Sequence, residues 1–156
     1  MKMLPFFKTS FLILSFLIAF SSCNKDSEDG GGDVGGGSLK AKVNGEMVNF
    51  GNVQASSAIG VIAITGEKDE MKITFILPAD IQEGETQLSD NDVSHSAVLE
   101  IGDKAVLGNG VININSHNHN KNTLKATFHF SGTIITGDEE YNITDGSLDV
   151  NYEEAK

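Results

Sequence analysis

His117 and His119 stand two apart in Ser116-His117-Asn118-His119-Asn120. Imidazole binds Zn²⁺, Cu²⁺ and Ni²⁺, but a structural zinc site needs four ligands and a catalytic one three plus an open position. His95, His129 and the neighbouring carboxylates fall at no ligand spacing. The favoured reading is therefore a polar hairpin loop whose Asn residues tolerate positive φ, with His117 and His119 as the metal candidates and no cofactor expected. Asp90-Asn91-Asp92 and Asp138-Glu139-Glu140 offer the oxygens that Ca²⁺ accepts. Neither has the EF-hand order of Gly and Glu, and acidic turns are the simpler account. His95 shares the face of Val93 and Ala97, which suggests a buried neutral imidazole; alternation would send Ser94 and His95 to opposite faces, so no Ser–His pair is expected. His129, between Phe128 and Phe130, should face solvent. No G-x-S-x-G elbow is present. No catalytic residue is assigned, and the chain is not expected to be an enzyme.

The remaining chemistry lies in Cys23, the only thiol among 156 residues. A single Cys closes no internal disulfide and builds no Cys-based zinc or iron–sulfur site. Its neighbours give it another use. Lys2 and Lys8 form a positive start, Phe11 to Phe20 an apolar run broken only by Ser15, and Ser21-Ser22 a small-residue pair before the Cys. This is the pattern of a bacterial export signal ending in a lipobox-like site. The apolar run of about ten residues is far short of the ~20 that span a bilayer. Diacylglycerol on the Cys23 sulfur and an acyl chain on its freed amine would make durable anchoring, at about 0.8 kcal/mol per buried CH₂.

Charge narrows the partners. All 11 basic residues are Lys, 22 residues are acidic, and the formal charge is −11. Phosphate neutralisation needs basic residues, so nucleic acid is set aside. Without Arg there is no bidentate grip on carboxylate or phosphate. Trp is absent, and Phe50, Phe75, Phe128 and Phe130 fall on inward faces, so a stacking platform for sugars is not expected. Loss of the signal removes two Lys, leaving the 22 acids against nine Lys, an excess of 13.

Behind Cys23, residues 24–38 hold six Gly, four acids and one apolar residue. Such a composition buries too little to order a backbone, and fifteen residues of it give an r.m.s. reach of about 20 Å. Lys25, Asp26, Glu28 and Asp29 have two readings: a solvated spacer, or a sorting signal resembling the acidic one that sends Bacteroidetes lipoproteins to the cell surface.

From Leu39 the apolar pattern has period two. Leu39, Ala41 and Val43 alternate with Lys40 and Lys42, and the same alternation runs through 71–77, 93–101, 124–131 and 148–152. Residues 58–64 are apolar on both faces and read as a central strand. Asn44-Gly45 is a strong hairpin signal. Polar clusters at 67–70, 89–92, 117–122 and 137–140, together with Gly108-Asn109-Gly110 and Asp145-Gly146, mark further turns. No window shows a helical repeat. The expected architecture is all-β: one antiparallel sandwich or barrel-like domain of about nine or ten short strands over 39–156, after a signal at 1–22 and a lipidated Cys and tether at 23–38.

The strand and turn residues carry a resemblance. Ala41-Lys42-Val43-Asn44-Gly45, Gly110-Val111-Ile112-Asn113-Ile114, Ala126-Thr127-Phe128-His129-Phe130, and Tyr141 to Gly146 followed by Val150-Asn151-Tyr152 resemble small Bacteroidetes lipoproteins with a 6252-type domain of unknown function. Ala126 stands where that family tends to have Gly, and Leu148 where it tends to have Phe. The resemblance implies an all-β exported lipoprotein and transfers no catalytic residue.

These readings lead to a lipid-anchored outer-membrane protein, surface-exposed or periplasm-facing, that serves protein interaction or envelope structure. One alternative is an inhibitor or immunity protein for a basic partner. Another is a barrel holding a small apolar ligand, which requires an interior void among Ile73, Phe75, Leu99, Phe128 and Val150.

Overall fold

A computed structural model describes residues 35–154. The signal segment, Cys23, and the sorting candidates Lys25, Asp26, Glu28 and Asp29 lie outside the described residues. Within them are ten strands and no helix: β1 (Gly37–Val43), β2 (Glu46–Ala58), β3 (Val61–Lys68), β4 (Met71–Pro78), β5 (Gly84–Leu88), β6 (Ser96–Ile101), β7 (Lys104–Asn118), β8 (Thr123–Thr133), β9 (Glu140–Asn151) and β10 (Glu153–Glu154).

The strands run β1-β9-β8-β7-β6-β4-β3-β2, and β2 pairs back onto β1 with Leu39 opposite Phe50 and Val43 opposite Glu46. This closure decides for a barrel of eight antiparallel strands. Two short strands are added outside the ring, β5 antiparallel on β7 and β10 parallel on β2.

Two strands are much longer than the alternation suggests, because each serves both halves of the barrel. The β2 strand pairs with β1 through Phe50 and with β3 from Gly51 onward; the change is made at an irregularity around Asn52, whose φ is +49°. Likewise β7 pairs with β6 through Gly108 and with β5 from Gly110. Gly108-Asn109-Gly110, expected as a turn, is thus a bend inside one strand. A Cβ on Gly108 would lie 2.3 Å from the Phe130 ring, so Gly is what lets the ring lie against the backbone. Asp145-Gly146 is also interior to a strand. It forms a bulge in β9, with Asp145 at φ +50° and the Phe128 ring over Gly146.

Other expectations are corrected in the same way. Residues 58–64 are not one strand but the β2–β3 hairpin, reversing at Ile59-Gly60 with φ of +52° and +78°. Ile59 is 93% exposed, which explains the apolar residue with no core role. The strand expected over 93–101 begins only at Ser96, and Val93 is exposed on the preceding loop. At the start of the domain, Gly35 bridges Ala55 and β1 opens at Gly37, two residues before Leu39.

Period-two alternation places one face of each strand inside. The interior is one apolar cluster with no buried polar or charged residue among the described residues. Phe75 meets Phe128 and Phe130 edge-on, with ring centroids 4.6 and 6.1 Å away. Ile73, Phe75 and Leu99 have no exposed surface, and Phe128 and Val150 have at most 3%. A void able to hold a ligand would leave such atoms accessible, so the interior around these five residues is filled.

The register sets two rims. One carries the Asn44-Gly45, Asp69-Glu70 and Gly102-Asp103 hairpins, the last two tied together where the Gly102 N–H donates to the Glu70 carbonyl at 2.9 Å. The opposite rim carries the Ile59-Gly60 and Asn118–Thr123 turns, the β4–β5 connection, the incoming Gly35 and the outgoing Tyr152.

Candidate functional site

The terminal rim holds the most organised polar group. His117, near the end of β7, points its ring between two other segments: Nδ1 lies 2.9 Å from the Ile81 carbonyl and Nε2 lies 2.9 Å from the Tyr152 hydroxyl. A carbonyl can only accept, so Nδ1 donates to Ile81; with the ring neutral, Nε2 then accepts from Tyr152 Oη–H. Ile81 itself is buried, so this bond fastens the β4–β5 connection over the barrel end. Tyr152 is 5% exposed, and its backbone N–H donates to the Asn122 carbonyl. Burial, and then the charge of Glu154, raise the Tyr152 pKa above its ordinary value, which keeps the hydroxyl protonated as the donor this geometry needs.

The sequence reading places His117 and His119 together, and the rings do meet, with centroids 3.9 Å apart. As ligands they are poorly placed. Both His117 nitrogens are engaged, and a metal at Nε2 would have to displace the Tyr152 hydroxyl. Among the described residues no group of three or more His, Cys, Asp or Glu is arranged to hold a metal ion. The role the geometry gives His117 is to join three chain segments. Ile81 and Tyr152 lie 36 and 35 residues from it, and nothing in their local sequence signals that pairing.

A second cluster lies on the loop before β6. Asp92 accepts from the Ser94 N–H at 2.9 Å and from the Ser94 hydroxyl at 2.7 Å, and His95 Nδ1 is 3.0 Å from its other oxygen. These bonds stabilise the charged carboxylate, the Ser94 hydroxyl foremost, and lower the Asp92 pKa from 3.8 to about 2. Ser94, His95 and Asp92 superficially match a nucleophile, base and orienting acid. The geometry is not that of a relay. Ser94 Oγ and Asp92 both approach the same ring nitrogen, Nδ1, and the hydroxyl donates to the carboxylate. A triad needs the acid and the nucleophile on opposite nitrogens. The cluster is a side-chain-capped turn. The expectation that Ser94 and His95 point apart fails because neither is in a strand, and His95 is half-buried rather than a core residue.

His129 is exposed on β8, as alternation requires. Asp138 and Glu139 lie in the loop before β9, and Glu139 pairs with Lys104 at 3.4 Å. The hairpin rim carries an open groove of about 590 Å³ whose lining includes Val43, Asn44, Met47, Val48, Lys68 and Met71. Met47 is 48% exposed there and offers an adaptable apolar contact.

The sequence model of a family described as "Domain of unknown function (DUF6252)" matches residues 36–149, nearly all of the barrel. The chain belongs to this family. The DUF6252 match begins beside Gly37 at the start of β1 and ends within β9, so it includes both bend glycines and His117, but stops short of Tyr152. No curated protein and no solved structure gives a significant match.

Proposed function

We propose that this DUF6252 protein is a lipid-anchored Bacteroidetes outer-membrane lipoprotein, whose barrel serves protein interaction or envelope structure without catalysis. The observation that carries the reading is the placement of Cys23, the chain's only thiol, directly behind a positive start, a short apolar run and two Ser. Acylation at that Cys anchors a domain whose first strand opens at Gly37. The filled interior supports an exterior role: ligand space is lacking around Phe75, and the polar side chains lie at the rims and outer face. This packing removes the premise of the apolar-ligand alternative.

Two experiments test the reading. Replacing Cys23 by Ala should abolish palmitate incorporation and leave unprocessed precursor. Protease treatment of intact cells should digest the mature domain if Lys25, Asp26, Glu28 and Asp29 form a surface-export signal, whereas full protection assigns a periplasm-facing orientation. A second reading, inhibition of a basic partner protein, draws on the acid excess and on how the lysines are used. Lys42, Lys68, Lys72, Lys104 and Lys125 each pair with a carboxylate, so much of the positive charge is already neutralised within the barrel.

A further inference from the structure

A closed barrel has no free strand edges in its ring, but β5 lies outside that ring. It pairs with β7 alone, Gly84 opposite Ile114 through Leu88 opposite Gly110, in unbroken antiparallel register. Among the described residues no strand covers its other side. Leu88 is buried and Thr86 half-buried, whereas Gly84, Glu85 and Gln87 are exposed. The edge therefore presents unpaired backbone donors and acceptors, the arrangement to which an extended segment adds as a further strand.

The side chains select what can add. The chain has no Lys or Arg between Lys72 and Lys104. In that stretch β5 carries Glu85 and is flanked by Asp80, Glu83, Asp90 and Asp92; none of these pairs with a Lys among the described residues, and of them only Asp92 pairs with a His, His95. Edges are commonly protected by Lys, Pro, bulges or brevity. The β5 edge has neither Lys nor Pro and no bulge; its protection is short length and negative charge. That charge works against a second copy, since homotypic pairing would set acids against acids, and works in favour of a basic strand, whose opposite charges pair across the edge. We propose that the outer edge of β5 is a docking site for a lysine-rich extended segment of a different protein, bound by strand addition. This deepens the interaction reading above and rests on it for its biological setting.

The test uses the lipidated mature protein in detergent. It is titrated with a capped hexapeptide alternating Lys with Val and Thr, and separately with the same peptide carrying Glu for Lys. Amide hydrogen exchange and amide NMR shifts are read along the chain. The expected result is saturable binding of the Lys peptide, with exchange slowed at residues 84–88. A Glu83→Lys/Glu85→Lys variant should bind the Lys peptide at least tenfold more weakly and the Glu peptide more tightly. Both positions are exposed; Glu83 accepts from the His117 N–H at 3.4 Å, so that amide should shift, and an unchanged amide spectrum away from it and from residues 83–85 would show that the variant is folded. Protection spread over the surface, protection centred on another strand, or affinity unmoved by the charge reversal would overturn the proposal. The Cys23→Ala protein is titrated in parallel. Loss of palmitate with peptide binding retained supports both readings, and palmitate retained on that variant removes the anchor reading while leaving the edge result to stand or fall separately.

Discussion

Asp92 shows how an exposed side chain acquires a defined state. The Ser94 hydroxyl and N–H, followed by His95, hold its carboxylate charged, so its pKa is depressed to about 2. A depressed folded-state pKa favours the native loop above the ordinary carboxylate range, and that preference is lost as pH falls from about 4 toward 2. A carboxyl-carbon NMR titration should give a midpoint near 2 for Asp92, and Ser94→Ala should move it up toward 3.8. Tyr152→Phe removes the donor to His117 Nε2 while keeping the buried ring. It should cost about 0.5–1.5 kcal/mol in urea unfolding and should speed exchange at the Asn122-bonded Tyr152 amide. Residue types were legible here, but contacts were not. His117 and His119 could be singled out from sequence, yet their use depends on Ile81 and Tyr152, which reach them only through the barrel's closure. His95 was misplaced because Val93, His95 and Ala97 imitate one strand face across a loop.

At the level of the element, alternation reported the inward face of β1, β4, β8 and the end of β9 correctly, because burial on one side of a strand imposes period two. It could not report where long strands bend. Gly108 to Gly110 looks like a turn because glycines serve both turns and bends, and Asp145-Gly146 looks like a hairpin because positive φ serves both turns and bulges. The Ile59-Gly60 reversal was hidden for the opposite reason: a β-branched residue occupies a left-handed position that Asn or Gly would fill more readily. Ile59→Asn should therefore stabilise the protein by about 0.5–1 kcal/mol in urea denaturation. Gly146→Ala should destabilise it by about 1–3 kcal/mol, since the new Cβ would fall 2.3 Å from the Phe128 ring and push it into Phe75.

For the whole molecule, the choice between sandwich and barrel is not legible, because ring closure depends on the long-range pairing of β1 with β9 added to the local β1–β2 hairpin. The same closure explains the division of labour in the chain. The interior is used up by packing: Phe75→Ala, which empties the centre of the phenyl cluster, should cost about 3–5 kcal/mol. The chemistry left to the domain lies in its rims, its hairpin groove and the acidic β5 edge, and we propose that attachment falls to the segment that begins at Cys23. Metabolic labelling with palmitate of cells expressing the wild-type and Cys23→Ala chains tests this account most directly. The account predicts label in the membrane fraction of the wild type and none in the variant, which should accumulate as precursor. Equal labelling of the two chains, or no labelling of either, would contradict it.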